Sequence, residues 1–178
     1  MATSTTRMMT VAEFQQLPEP EAYYHELRHG EMVKVTRPIL KHVFAQRRLQ
    51  SLIEAVAGVE STFVEVGYRP LPEHELRVAD VAYAPRERWS AIDPAGHFPG
   101  VPDLVIEVLS PSNTAAEMLE KEQICLENGC REFWIADLDR RQVKVSTPGG
   151  HTTWYGPGQK IPLWFAAGKV LALDAIFG

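Results

Sequence analysis

Apolar and polar positions along this chain recur with two periods, and the switches between them mark the elements. VAEFQQL lies between Thr10 and Pro18, and Thr10 and Glu13 have capping-box spacing, which predicts a short helix. YHELRHGEMVKV reads as a hairpin with His29-Gly30 at its tip and Met32, Val33 and Val35 beyond it. From Ile39 to Val56, the residues Leu40, Val43, Phe44, Leu52, Ile53 and Val56 recur at helical spacing and Gly58 follows, so this is the long helix. STFVEVGYRPL and LRVADVAYAP read as strands, RERWSAI as a short helix and DPAGHFPGVP as a loop. PDLVIEVLS is a strand apolar on both faces apart from its ends and one glutamate, the pattern of a central strand covered on both sides. Thr114 and Glu117 form a second capping-box pair and open a helix that ends at Asn128-Gly129. REFWIAD and QVKVST are strands joined through Leu138-Asp139-Arg140. Short strands are predicted around HTTWY and KIPLWF, and LALDAIFG closes the chain as a short helix.

This order predicts one α/β (α+β) domain over residues 1–178, a mixed sheet flanked by helices, with residues 1–9 as a loose tail. A chain of 178 residues is long enough for one sizeable core, and 45% hydrophobic with 23% charged residues is an ordinary globular composition. No apolar run approaches a membrane span and the opening MATSTTRMMTVAEF reads as no export signal, so the expected location is the cytoplasm. Cys125 and Cys130 lack a Cys-x-x-Cys or Cys/His cluster and read as two buried thiols, not a zinc site. A net charge of -5 argues against a protein that coats nucleic acid non-specifically, and leaves room for a local basic patch around an acidic metal site.

Two carboxylates stand where strands disfavour them. Glu107 interrupts Leu104-Val105-Ile106-Glu107-Val108-Leu109 and shares a face with Val105 and Leu109. A lone buried carboxylate costs several kcal/mol or takes up a proton, so it calls for a metal, an arginine or a lysine. Asp80 repeats the anomaly within Arg77-Val78-Ala79-Asp80-Val81-Ala82-Tyr83. If the two strands lie side by side, the acids converge on one cation, and magnesium or manganese prefers such oxygen donors. Two unrelated ion pairs are the plain alternative. Glu26, in YHEL, reads as an outward-facing strand residue, His42 as solvated or packed, and Asp103 as structural. Lys121 follows Glu117 by four residues, as in a surface ion pair, and sits on the flank of the stripe holding Met118 and Cys125, with Glu122 nearer its centre.

The block PDLVIEVLSPSN…EMLEKEQICLENGCREFWIAD closely resembles the Uma-two family of putative restriction endonucleases, within the PD-(D/E)XK nuclease superfamily. The resemblance extends through MTVAEFQQLPEPEAYYHELRHGEM, the helix starting near His42, and RVADVAYAP. It implies a restriction-endonuclease-like sheet bearing a magnesium- or manganese-dependent phosphodiesterase site. Asp80 stands at the aspartate of the family's Pro-Asp-Val motif, with Ala79 in place of the proline. Glu107 stands at the acid of the Glu-x-Lys element, Leu109 occupies the lysine position, and Lys121 matches the lysine the family carries on the following helix. Glu26 matches the hairpin glutamate regarded as a fourth site residue, and the Val108 carbonyl matches a further metal ligand. Glu117 stands where many members have aspartate, and Cys125 where a tyrosine is common. The implied partner is nucleic acid, DNA first, with a homodimer suiting a duplex substrate and the apolar segment IPLWFAAGKVLALDAIF as its contact. Two rival readings remain. A catalytically degenerate fold would bind nucleic acid or protein without cutting, and a structural subunit would serve a larger assembly.

Overall fold

The computed structural model describes residues 7–18, 23–36 and 38–178. Helix α1 (Val11–Phe14) is followed by strands β1 (Tyr23–Arg28) and β2 (Glu31–Thr36), then helix α2 (Leu40–Ala57) and strands β3 (Thr62–Arg69) and β4 (Arg77–Tyr83). Helix α3 (Arg86–Ser90), strands β5 (Phe98–Pro99) and β6 (Leu104–Val108) and helix α4 (Ala115–Glu127) come next. Strands β7 (Glu132–Asp137), β8 (Gln142–Thr147), β9 (His151–Tyr155), β10 (Lys160–Pro162) and β11 (Val170–Ala172) lead to helix α5 (Asp174–Phe177). Both capping boxes form: the hydroxyls of Thr10 and Thr114 accept from the amides of Glu13 and Glu117, whose carboxylates accept in return. In the hairpin turn His29 and Gly30 both take positive φ, as a two-residue I′ turn requires. A Cβ on Gly30 would meet Met8 Cβ at 2.6 Å, so glycine is needed for space as well as for φ.

Among the described residues, seven strands form the central sheet in the order β5-β3-β4-β6-β7-β8-β9. It is mixed: β6 runs parallel to β7 and β3 to β5, and the other neighbours are antiparallel. A parallel β6–β7 pair needs a crossover, and α4 provides it. Leu104, Ile106 and Val108 face one core with Leu49 and Ile53 of α2. Val105 and Phe133 face the other, with Met118, Ile124 and Cys125 of α4. Strand β6 is buried throughout, Glu107 included, as a run apolar on both faces apart from one glutamate predicted. Both cysteines are free and buried.

Two expectations change. Of the expected amino-terminal tail, residues 1–6 lie outside the described residues, and Met9 is tied in, its N–H donating to the Gly30 carbonyl at 2.9 Å. The carboxy-terminal apolar segment, expected to offer a contact between copies, spends its side chains on the chain's own core: Ile161, Leu163, Leu171, Leu173 and Ile176 are all buried against α2 and the sheet. No helix among the described residues is long and apolar enough to cross a membrane.

Helix α2 is held by few large anchors, which makes a sharp test. Leu49→Ala, at a position with no exposure, should destabilise the protein by about 2–5 kcal/mol in urea unfolding. Leu40→Ala, 72% exposed on the same helix, should change it by less than about 0.5 kcal/mol.

Candidate metal centre

The site arises where two neighbouring strands part. Strands β4 and β6 pair from Tyr83↔Leu104 to Val81↔Ile106, and the ladder stops there. One further step of that register sets Asp80 opposite Glu107. Beyond it the β6 side of β4 is taken by the β1–β2 hairpin, through a two-way backbone bridge between Leu27 and Leu76. The backbone groups released in the gap find side-chain partners, as buried peptide groups must. The Val108 N–H donates to Asp80 Oδ2 at 2.7 Å. The Val78 N–H donates to Glu26 Oε1 at 2.8 Å, and the Val78 carbonyl accepts from Lys121 Nζ at 2.6 Å. The predicted site residues are therefore the ones that complete the sheet where it opens.

Lys121 comes from α4 and lies 2.8 Å from Glu107 Oε2 and 3.7 Å from Glu26 Oε1. It does not make the surface pair with Glu117 that its spacing offered. Glu117 instead reaches Arg28 at 3.0 Å, and Arg28 also holds Glu26 at 2.8 Å. Arg77, almost fully buried, pins β4 to α4 through Glu120 at 2.6 Å and pairs with Glu75 at 2.7 Å. Glu26, read from sequence as an outward-facing residue, is only 2% exposed. Asp103 is structural as expected: its carboxylate pairs with Arg88 at 2.5 Å, away from the cleft.

Burial pushes the Glu107 carboxyl up to about 8; Lys121 pulls it down, and Asp80 and Glu26 push it up. Burial alone would lower the Lys121 ammonium, but Glu107, Glu26 and Asp80 raise it above the usual lysine range. Glu26 ends below the usual carboxylate range, because Lys121, Arg28 and the Val78 amide outweigh its burial. Lys121 is thus held charged among acids, and Glu107 is the member that binds a proton most readily. One oxygen of Glu107, Oε1, is buried with no hydrogen-bond partner. Such an orphan is costly in an interior and ready to ligate a cation.

Sequence reasoning missed two residues that share this place. His42 is 8% exposed, and neither ring nitrogen makes a hydrogen bond, although Nε2 stands 3.0 Å from Asp80 Oδ1. Glu65 lies on β3, between the pairs Val64↔Val81 and Val66↔Ala79, and so faces Asp80. Gln46 Nε2 donates to both carboxylates, to Asp80 Oδ1 at 3.1 Å and to Glu65 Oε1. Burial, and then the neighbouring Asp80, raise the Glu65 carboxyl above the usual range. Glu65 carried the signal that exposed Asp80, an acid between Val64 and Val66 in a strand. His42 carried none beyond its place at the start of the helix. Ligand atoms of His42, Glu65 and Asp80 lie within 4.8 Å of one another. His42, Glu65 and Asp80 line one cleft of about 510 Å³ together with Glu26, Glu107 and Lys121, and Leu109, Ser110 and Asn113 also line it. The donor set, mostly carboxylate oxygen with orphaned atoms on Glu107 and His42, fits a divalent cation.

A family model described as Uma2, putative restriction endonuclease, matches residues 11–167. The chain belongs to the Uma2 family. Its fold is similar to the crystal structure of a putative nuclease belonging to DUF820 from Anabaena variabilis ATCC 29413. The TM-score is 0.79 at 25% identity, over 95% of this chain and 97% of that one. No curated protein matches the sequence. The Uma2 match spans every segment that contributes to the cleft, from the hairpin to the turn after β7.

The buried Lys121–Glu107 pair gives a stability test. Lys121→Met leaves Glu107 and Glu26 without their shared cation and should cost roughly 3–5 kcal/mol at pH 9 in urea unfolding. The loss should shrink toward pH 5, where Glu107 can take up a proton. In the parent protein the native Glu107 carboxyl titrates at about 8 against an ordinary 4.5. The native state therefore holds a proton that the unfolded chain has released, and this contribution to stability falls as pH rises through that window. Glu107→Gln should remove that part of the pH slope.

Proposed function

We propose that this Uma2 chain is a magnesium- or manganese-dependent endonuclease that hydrolyses phosphodiester bonds in nucleic acid, DNA in the first instance. The observation that carries the reading is the convergence of Asp80, Glu107 with its orphaned oxygen, and the Lys121 ammonium in one cleft at the split between β4 and β6. Family membership supports it. Asp80 and Glu107 would hold the cation, with the Val108 carbonyl as a further ligand. In an extended strand the N–H and C=O of one residue face the same neighbour, so this carbonyl opens on the side where the Val108 N–H meets Asp80. When bound, the cation polarises the phosphate and lowers the pKa of a coordinated water.

The chain's own residues do the rest. Lys121 keeps a fixed positive charge beside the acids and stabilises the extra negative charge that develops on the phosphate. Its lost place in the Glu-x-Lys element is made good from α4, which brings the ammonium to Glu107 from above the strand and not along it. Glu26 acts on Lys121: held by Arg28 and the Val78 N–H, it fixes where the ammonium sits. A homodimer would set two such clefts against a duplex of matching two-fold symmetry.

The test joins metal titration to a nuclease assay on single- and double-stranded DNA and RNA, with Mg²⁺ or Mn²⁺ at low salt so that phosphate contacts are not screened. Asp80→Asn and Glu107→Gln should each lose Mg²⁺ binding and cleavage. Lys121→Met, assayed where it remains folded, should keep Mg²⁺ and lose about 10²–10³-fold in kcat. If both carboxylate variants bind Mg²⁺ like the parent, the site is wrong. If the parent binds Mg²⁺ and cuts none of the four substrates, the non-catalytic binding role takes its place. Because Glu107 must shed a proton to ligate, Mg²⁺ affinity should rise with pH up to about 8 and then level off, with proton release measurable by calorimetry in two buffers.

A further inference from the structure

We infer that a groove leading out of the cleft, between α2, the β7–β8 turn and α5, binds a single-stranded segment of nucleic acid beside the phosphate to be cut. This rests on the nucleic-acid reading above, and its test separates the two. The first observation is continuity. A cavity of about 470 Å³ lies next to the cleft, and Lys41, Leu138 and Asp139 line both. A strand that leaves the cleft past Lys41 enters this cavity directly.

The second observation is charge. In the lining of the groove Lys41, Arg48 and Arg141 stand against Asp139 alone. Lys41 pairs with Asp139, and Arg48 donates to the Ile176 carbonyl at 3.1 Å. In the β7–β8 turn the Asp137 carboxylate accepts from the N–H groups of Asp139 and Arg140 and pairs with the Arg140 side chain at 3.0 Å. The acid that organises the turn is thus taken by Arg140. Its neighbour Arg141 has no carboxylate partner among the described residues, and neither has Arg48. In a chain of net charge -5, two guanidiniums without acids in one groove form a local seat for phosphate.

The third observation is Phe44. It follows Lys41 by three residues and precedes Arg48 by four, so the three share one stripe of α2. Its spacing placed it among the apolar positions of the helix, yet it is 63% exposed. Arg141 brings a second ring into the groove, its guanidinium lying 5.7 Å from the centre of Phe177. An exposed ring between cations suits a single strand: the cations take phosphates and the ring takes the face of a base. In a duplex those faces are already stacked on one another, so the ring favours unpaired nucleotides. Lys41 and Arg48 are about 10.5 Å apart along the helix axis, the rise of about three nucleotides at 3.4 Å each.

The experiment is fluorescence anisotropy of a labelled 12-nucleotide thymidine strand with the full chain, in EDTA at low salt, so that nothing is cut and the acidic cleft stays unloaded. Phe44 and Arg141 are outside the proposed metal site, and circular dichroism checks the fold of each variant. Phe44→Ala should weaken binding by about 5–100-fold without changing its salt dependence, and Phe44→Trp should restore it. Arg141→Ala should weaken binding by roughly 3–10-fold and lower the slope of log affinity against log salt by about 0.7. On a blunt 12-base-pair duplex, Phe44→Ala should change the affinity by less than about twofold. The inference is overturned if the parent does not bind the strand, or if Phe44→Ala and Arg141→Ala both bind it within twofold of the parent. A solution mass that falls in Phe44→Ala while strand affinity holds gives the surface to a second copy of the chain and also overturns it. If the parent cuts nucleic acid with Mg²⁺ and both variants keep its kcat/KM and affinity, the groove falls and the nuclease reading stands. If the parent cuts nothing and both variants lose the strand, the groove stands and the nuclease reading falls.

Discussion

The separation of β4 from β6 after Val81↔Ile106 is the constraint on which the cleft depends. A sheet that opens in its interior exposes peptide groups that neither water nor a strand can satisfy. Here the opening is filled by side chains from three different elements: Glu26 from the hairpin, Lys121 from α4 and Asp80 from β4 itself. Each completes the sheet and in doing so is aimed at the same small volume. The acids therefore do not need a ligand to be ordered. Their positions are fixed by backbone hydrogen bonds before any cation or substrate arrives, which is what a preorganised electrostatic site needs.

Holding so many charges in an interior is expensive, and the network offsets it by alternating signs. Glu117, Arg28, Glu26, Lys121 and Glu107 form a chain of ion pairs from the exposed start of α4 to the buried middle of β6. Arg77 runs a second tie from Glu75 to Glu120 on the same helix. Buried pairs of this kind contribute little net stability compared with apolar side chains of similar size, but removing one partner is severe. Helix α4 is thereby locked in rotation about its axis. An apolar stripe alone fixes which face a helix buries; the ion pairs fix where along that face Lys121 stands, and the catalytic proposal rests on that placement.

How much of this was legible depended on the scale of the signal. Glu107 and Asp80 announced themselves because an acid inside an apolar strand breaks a two-residue rhythm, and the structure buries Glu107 and brings both to one cleft. Lys121 could not be chosen from its residue pattern. It sits on the flank of the α4 stripe, and only a long flexible stem, buried along its length, carries the ammonium in to Glu107. Glu26 read as outward-facing because nothing local shows that the β1–β2 hairpin closes a gap in another sheet. Glu65 was open to detection by the rhythm that exposed Asp80. The apolar carboxy-terminal segment misled for the opposite reason: hydrophobicity says that a segment is covered, not by what, and here the cover is α2 and the sheet.

The acidity of the chain, which argued against a nucleic-acid partner, takes on a different meaning at the cleft. Its lining carries five formal negative charges, from Glu26, Glu65, Asp80, Glu107 and Asp139, against three positive ones from Arg28, Lys41 and Lys121. Left at that balance of -2, the cleft would repel a phosphate backbone. On the proposed reading a bound divalent cation neutralises it. A phosphate would then be admitted only to a loaded site, and the acids that make the cleft unsuited to nucleic acid on their own are what tie substrate binding to the presence of metal.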